Sequence, residues 1–365
     1  MMKCDYLIIG AGFAGSVFAE RIANVLNKKV ILVEKRNHIG GNSYDEKNKN
    51  GILIHKYGPH IFHTNSEKVF DYLSQFTEWR RYEHKVLAKL DGKFYPIPIN
   101  RTTINKLYSK NFTTDKEVNS FYERVRICKQ EINNSEDIIV NKVGIDLYEK
   151  FFKYYTKKQW KLDPSELSSQ VCGRIPVRTN PDDRYFTDNY QFMPKEGYTE
   201  IFKKMLNHKN IEIILNTDYK QIINDVKFGK MVYTGPIDYF FDHKYGKLPY
   251  RSLDFIWENH QHESFQDAAV VNYVEEKPEF TRITEYKKIT GQKSKTTTIS
   301  KEYPKFNGEP YYPIINESNN NIHKKYFFEA KKLKNVLFLG RLAEYKYYNM
   351  DQVVARCLTL FEREL

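Results

Sequence analysis

The chain has 365 residues, enough for two or three packed units around a sizeable core. Lysine and arginine total 58 against 46 acidic residues, a formal charge of +12 that favours an anionic partner: nucleic acid, acidic lipid or a phosphorylated small molecule. No apolar run approaches the ~18 residues of a membrane helix, which excludes a helical span.

The apolar run Tyr6-Leu7-Ile8-Ile9 reads as a strand leading into Gly10-Ala11-Gly12-Phe13-Ala14-Gly15. A helix is expected over about 14–26, then a second strand, Val30-Ile31-Leu32-Val33, ending on Glu34. Gly10 and Gly12 permit a sharp turn and close backbone approach to a pyrophosphate, and Gly15 lets the helix pack near the strands. Glu34 stands where a carboxylate receives a ribose, so the segment reads as a dinucleotide site with the pyrophosphate on the helix N-terminus. Lys35 comes next, and then Gly40-Gly41-Asn42, which extends the fingerprint beyond a plain NAD site. That extended form resembles the flavin amine oxidases and their relatives, and it favours FAD over NAD.

Gly58-Pro59-His60-Ile61-Phe62-His63 places two histidines three apart, the spacing of a metal pair. With no matching cluster of Cys, His or acid, it reads instead as a loop against the flavin or a structural turn. Residues 86–90 and 93–95, joined by Asp91-Gly92, carry a hairpin signal. Residues 100–170 read as a helical insertion: Thr114 and Glu117 form a capping box, and a further helix is expected over Ile145 to Lys158.

Farther along, a strand and turn at 192–198 precede a helix at 199–206, and 211–215 is a strand returning to the cofactor sheet. The β-like runs at 231–233, 268–274, 281–286 and 296–301 read as one antiparallel sheet. A buried strand at 336–341 and a helix at about 350–362 close the chain. The expected fold is α/β: a discontinuous Rossmann-like FAD-binding domain (1–78, 192–228, 320–365), an inserted helical bundle (99–172) and an antiparallel sheet domain (79–98, 173–191, 229–319).

Three constellations bear on chemistry. Phe151, Phe152, Tyr154, Tyr155 and Trp160 put five aromatics in ten residues. Alone this describes a helix buried on most sides; the alternative is a face that stacks a planar ring. Arg174 and Arg282 suit a diphosphate, because guanidinium is always charged and binds in bidentate fashion, although each by itself reads as a surface arginine. Gly340-Arg341, with Met350-Asp351-Gln352 at a helix start beyond it, has the form of a second contact with the cofactor. The cysteines, Cys4, Cys128, Cys172 and Cys357, are too scattered for a zinc site, so no metal is expected and the expected setting is reducing and cytoplasmic.

Taken in order, GAGFAG with EKRNHIGGN, YGPHIFHT, FYPIPIN, the stretch from Tyr155 to Arg178, Pro310-Tyr311-Tyr312-Pro313 and the Gly340-Arg341 tail resemble the bacterial UDP-galactopyranose mutase family along essentially the whole chain. The resemblance implies a redox-neutral interconversion of UDP-galactopyranose and UDP-galactofuranose that needs reduced FAD, whose N5 attacks the anomeric carbon as UDP leaves. By the same resemblance Phe151, Phe152, Tyr155, Thr156 and Trp160 bind uridine. Arg174, on a closing loop, and Arg282 bind the diphosphate and carry catalysis. Tyr185, Tyr312 and Tyr347 contact phosphate, and Asn272 and His84 contact substrate. Relatives have an acid where this chain has Asn349, which bears on sugar tolerance, including acceptance of the N-acetylated sugar nucleotide.

A reductant such as NAD(P)H or a flavin reductase and a homodimer are implied partners; neither nucleic acid nor membrane is. Two rival readings are a flavin amine oxidase or desaturase, which needs no paired arginines, and a basic nucleic-acid module, for which no motif is present.

Overall fold

Alternation within short apolar strands decides the centre of the fold. A computed structural model describes residues 1–364. Five strands lie in one all-parallel sheet in the order Ile211–Ile214, Val30–Val33, Tyr6–Ile9, Lys230–Tyr233, Val336–Phe338. Leu7, Ile9, Ile31 and Val33 face one layer with Met231, Tyr219 and Tyr233. Ile8, Leu32 and Val232 face the other, under the helices Phe13–Val25, Tyr198–Leu206 and Met350–Glu364. With both faces covered, these strands are apolar nearly throughout.

The second sheet has seven strands, in the order Tyr312–Pro313, Tyr250–His260, Thr297–Lys305, Arg282–Glu285, Val270–Tyr273, Val86–Leu90, Lys93–Ile97. Its hairpin turns on Asp91 and Gly92, both left-handed at φ 49° and 72°, as a two-residue turn matched to strand twist requires. The helical insertion covers one face, where Val118, Phe121, Ile139, Val143 and Leu147 meet Val86, Ala88, Tyr95 and Val270. A three-stranded antiparallel sheet, Phe62–Thr64, Tyr190–Pro194 and Trp79–Arg81, stands apart from both.

Three expectations change. Met231-Val232-Tyr233 belongs to the parallel sheet, pairing with Leu7-Ile8-Ile9, so the antiparallel sheet domain does not begin at 229. Trp79–Arg81 likewise pairs outside that sheet, with Tyr190–Pro194. The seven-stranded sheet is mixed: Val270–Tyr273 runs parallel to Val86–Leu90, the chain between them passing through the helical insertion and strands of both other sheets, so no hairpin joins the pair.

The helix expected over 145–158 is present but interrupted. Gly144, at φ 82° and ψ 173°, breaks the preceding helix, and a Cβ there would stand 2.2 Å from the Val125 carbonyl oxygen. The run then passes through a π-helical turn, Glu149–Lys153, into Tyr154–Trp160. Such a turn inserts a residue and rotates the faces of the helix beyond it, a device frequent at functional sites.

Candidate active site

Two cavities share a wall. The first, about 790 Å³, lies over the carboxyl ends of the parallel strands. Gly10, Gly12, Phe13, Ala14, Glu34, Lys35, Gly41, Asn42, His60, Arg341 and Met350 all line it. Gly41, at φ 54°, brings the second glycine loop so near the first that its Cβ would lie 2.8 Å from the Gly12 Cα. The Gly40 N–H donates to the Ala11 carbonyl at 2.8 Å, which fixes this approach. The helix Phe13–Val25 has no acid in its first turn, leaving its positive end free for an anion. The Glu34 carboxylate accepts from the N–H groups of Ala11 (2.8 Å) and Arg36 (3.0 Å) and is held in place by them.

The arrangement fits a dinucleotide cofactor: two glycine loops in a contact that leaves no room for a Cβ at Gly41, and a half-buried cation beside them. Arg341 donates to the carbonyls of Tyr348 (2.5 Å) and Tyr311 (3.1 Å), not to a carboxylate, so its charge is uncancelled. Other residues expected at the cofactor stand elsewhere. Gly15 is a packing position whose Cβ would strike the Gly10 carbonyl oxygen. Ile61 and His63 line the second cavity instead. Asp351 accepts from the Thr64 hydroxyl at 3.0 Å, and the Gln352 side chain accepts from the Asn349 N–H at 2.9 Å, an N-terminal cap.

The second cavity, about 620 Å³, opens between the helical insertion and the seven-stranded sheet. All twelve residues expected at the substrate line it: His84, Phe151, Phe152, Tyr155, Thr156, Trp160, Arg174, Tyr185, Asn272, Arg282, Tyr312 and Tyr347. The π turn carries Phe151 and Phe152, and the helix after it carries Tyr155, Thr156 and Trp160. His60, Arg341, Met350, Asn42 and Tyr311 line both cavities and form the junction.

Electrostatics favour an anion with two charges. Four guanidiniums (Arg174, Arg178, Arg282, Arg341) line this cavity against two carboxylates (Asp188, Glu302), an excess of +2. Asp188 already accepts from His63 at 3.1 Å. Arg174 packs 4.1 Å above the Tyr347 ring and Arg341 lies 5.4 Å from it. Burial would raise that phenol's pKa, but these cations outweigh burial and hold it below the ordinary value. Arg282 donates to the Tyr155 hydroxyl at 2.5 Å, with its Nε 3.5 Å from Glu302. His84, buried and bonded to the Tyr82 hydroxyl at 2.9 Å, is pushed down to about 3 by burial, then by Arg282 and His63, and is neutral at working pH.

Glu302 and Gln159 are additions to the expected set. Glu302 is buried behind Arg282, and Gln159 donates its amide to Tyr312. Alternation along Thr297–Lys305 puts Glu302 on the Arg282 side, but a single acid in a strand carries no further signal. The buried Asn272 Oδ1 has no partner among the described residues, which leaves it free to accept from a ligand.

Comparison with known proteins gives the same assignment along the chain. A family profile for UDP-galactopyranose mutase matches residues 150–347, and one for an NAD(P)-binding Rossmann-like domain matches 8–76. A probable UDP-galactopyranose mutase of Klebsiella pneumoniae is 38% identical over 98% of this chain and 94% of its own. A dTDP-fucopyranose mutase of Escherichia coli is 36% identical over 96% of each. The crystal structure of a reduced UDP-galactopyranose mutase superposes with a TM-score of 0.80 at 17% identity, covering 100% of this chain and 94% of that one, and so shares the fold. The chain belongs to the UDP-galactopyranose mutase family.

Proposed function

We propose that the chain binds FAD in the first cavity and a nucleotide diphosphate sugar in the second, and interconverts UDP-galactopyranose and UDP-galactofuranose. The junction at His60, Arg341 and Met350 supports this reading, because a sugar bound in the second cavity would there meet a cofactor bound in the first, beside the excess of positive charge. Bound and reduced, FAD supplies a nucleophilic nitrogen for the anomeric carbon and a carrier for the proton that ring opening requires.

The chain's own residues then position and hold. Phe151, Phe152, Tyr155 and Trp160 stack and enclose the uridine. Arg174 and Arg282, with the phenols of Tyr185, Tyr312 and Tyr347, clamp the diphosphate through charge-assisted hydrogen bonds. Holding the departed UDP in place lets the same anion return to the anomeric carbon, so the clamp makes the reaction an isomerisation and not a hydrolysis. The neutral His84 imidazole and the Asn272 amide face the cavity as uncharged partners for hydroxyls. The reductant is NAD(P)H or a flavin reductase, and the working unit is a homodimer.

Dithionite-reduced protein mixed with UDP-galactofuranose should yield UDP-galactopyranose by chromatography with no further reductant consumed. Absence of the pyranose would overturn the proposal. A second substrate belongs in the same assay. Asn349 lines the substrate cavity as an uncharged amide, and a relative of almost equal similarity is named for dTDP-fucopyranose. Faster turnover of dTDP-fucofuranose than of UDP-galactofuranose would move the assignment to that sugar.

A further inference from the structure

Behind the uridine helix lies a cation that the proposed chemistry does not use. Lys158, on Tyr154–Trp160, is only 7% exposed. Its ammonium donates to three backbone carbonyls, those of Tyr273 (2.7 Å), Pro278 (2.9 Å) and Phe280 (3.2 Å). Three donors meet three acceptors, which saturates the group. Pro278 and Phe280 lie in the turn joining two strands of the seven-stranded sheet, and Tyr273 ends the first of those strands. Asn272 stands near the end of the first strand, Val270–Tyr273, and Arg282 opens the second, Arg282–Glu285. At the base of the turn the Tyr273 N–H donates to the Thr281 carbonyl at 2.9 Å.

We infer that Lys158 is a positioning residue: its tripod sets the distance between the helix bearing Tyr155 and Trp160 and the strand ends bearing Asn272 and Arg282, and thereby the grip on the nucleotide diphosphate. The inference rests on the nucleotide-sugar reading of the second cavity. Arg282 ties the same two elements on the cavity side, through Tyr155. A diphosphate that draws Arg282 toward itself competes with that tie, whereas Lys158 lines neither cavity and keeps its bonds. Arginine cannot substitute, because its planar fork does not match a tripod of carbonyls.

Burial brings the Lys158 pKa down to about 8, with Glu275 opposing and Lys161 reinforcing the shift. The other charges at the turn are Glu276, Lys277 and Glu279 within it, Lys89 near the Tyr273 ring and Lys301 near the Phe280 ring. The tripod is complete below that pKa and loses a donor and its charge as pH rises through it.

UDP titrated calorimetrically into the flavin-loaded holoprotein tests this. Lys158→Met, which keeps the stem, should weaken UDP binding at least tenfold while flavin absorbance is retained, with KM rising more than kcat falls; Lys158→Arg should not restore binding. Between pH 7.5 and 9.5 wild-type affinity should fall at least threefold more than that of Lys158→Met, the Tyr347 phenol, whose pKa is held below its ordinary value, contributing equally to both. Wild-type affinity in a folded Lys158→Met variant would overturn the inference, as would a wild-type affinity independent of pH, a series that needs no variant. Failure of the wild type to bind UDP at any pH would overturn the reading of the cavity itself, and the inference with it.

Discussion

The two cavities share a wall yet are made of different material. The first is main chain: a glycine turn, a second glycine loop pressed onto it, a helix end, and an arginine immobilised by carbonyls. The second is side chain: aromatic walls on a π turn and short helix, with arginines that lean on phenols. A pyrophosphate that stays bound is best met by backbone donors, which lose no side-chain freedom on binding. A diphosphate that must be gripped, released and gripped again is better met by long side chains with interchangeable partners. The comparison predicts that damage to the first cavity is all-or-none for the cofactor, while damage to the second spares colour and removes turnover.

The largest effect is expected at Gly41. Valine there requires a side chain at φ 54° whose first carbon collides with the Gly12 Cα. Gly41→Val should purify colourless, with 450 nm absorbance absent and far-UV circular dichroism retained. A yellow variant would break the assignment of this cleft to the cofactor.

Next come the arginines. Each supplies about two charge-assisted bonds worth about 1.5–3 kcal/mol apiece, so Arg174→Ala and Arg282→Ala should each lower kcat/KM by about two to four orders of magnitude. Flavin content should stay at the wild-type level. Loss of flavin together with activity would mean that the cavities are not separable in this way.

The same physics explains how far this division is legible in the sequence. Backbone sites need glycine at fixed intervals between strand and helix, so Gly10, Gly12 and Gly41 can be read in one dimension, as can the Asp91-Gly92 hairpin. Side-chain sites are assembled from distant segments, and Arg174 and Arg282 taken singly read as surface residues; only the family resemblance unites them. Strand partnership is the least legible. Met231–Tyr233 looks like any short apolar strand, and nothing local says that it pairs with Leu7–Ile9. The longest strand, Tyr250–His260, escapes a reading by pattern because its first half is buried on successive residues and only the second alternates. Gly144 and the π turn are hidden for a related reason: a helix period survives one inserted residue on either side of a break.

Acidification probes the buried histidines around the cavities, since His55 accepts from the N–H of His60 on the shared wall and His84 lines the second cavity. His55, packed near Tyr198 and Tyr286, is pushed down to about 3 by burial, and His84 equally by burial, then Arg282 and His63. Between pH 6.5 and 3 the unfolded chain binds protons at these sites that the folded chain refuses, so stability falls as pH drops through that window. At pH 5 each contributes a loss of about 2 kcal/mol relative to neutral pH. Urea unfolding at pH 7 and pH 5 measures the loss, and His84→Asn should show it smaller by about one histidine's share.

The smallest effect sharpens the comparison, because it concerns a place where side chains close the backbone cavity. Phe306–Pro310 forms one lip of the cofactor cleft and Glu34–Arg36 the other. Glu309 joins them, accepting from Lys35 at 2.9 Å and Arg36 at 3.1 Å. Arg36 is further held by Asn42 (3.0 Å) and by the Tyr57 ring, 4.3 Å away. Lys35 and Glu309 are 49% and 46% exposed, so solvent screens the pair and its worth is about 0.2–1 kcal/mol. Glu309→Gln should therefore speed release of FAD, tracked by recovery of flavin fluorescence, by about two- to fivefold. In 0.5 M salt the difference should vanish, since screening then removes in the wild type what the substitution removes in the variant. The KM for the sugar nucleotide should not move, because Glu309 lines only the first cavity. A change in KM without a change in FAD release would place that lip on the substrate's side of the shared wall.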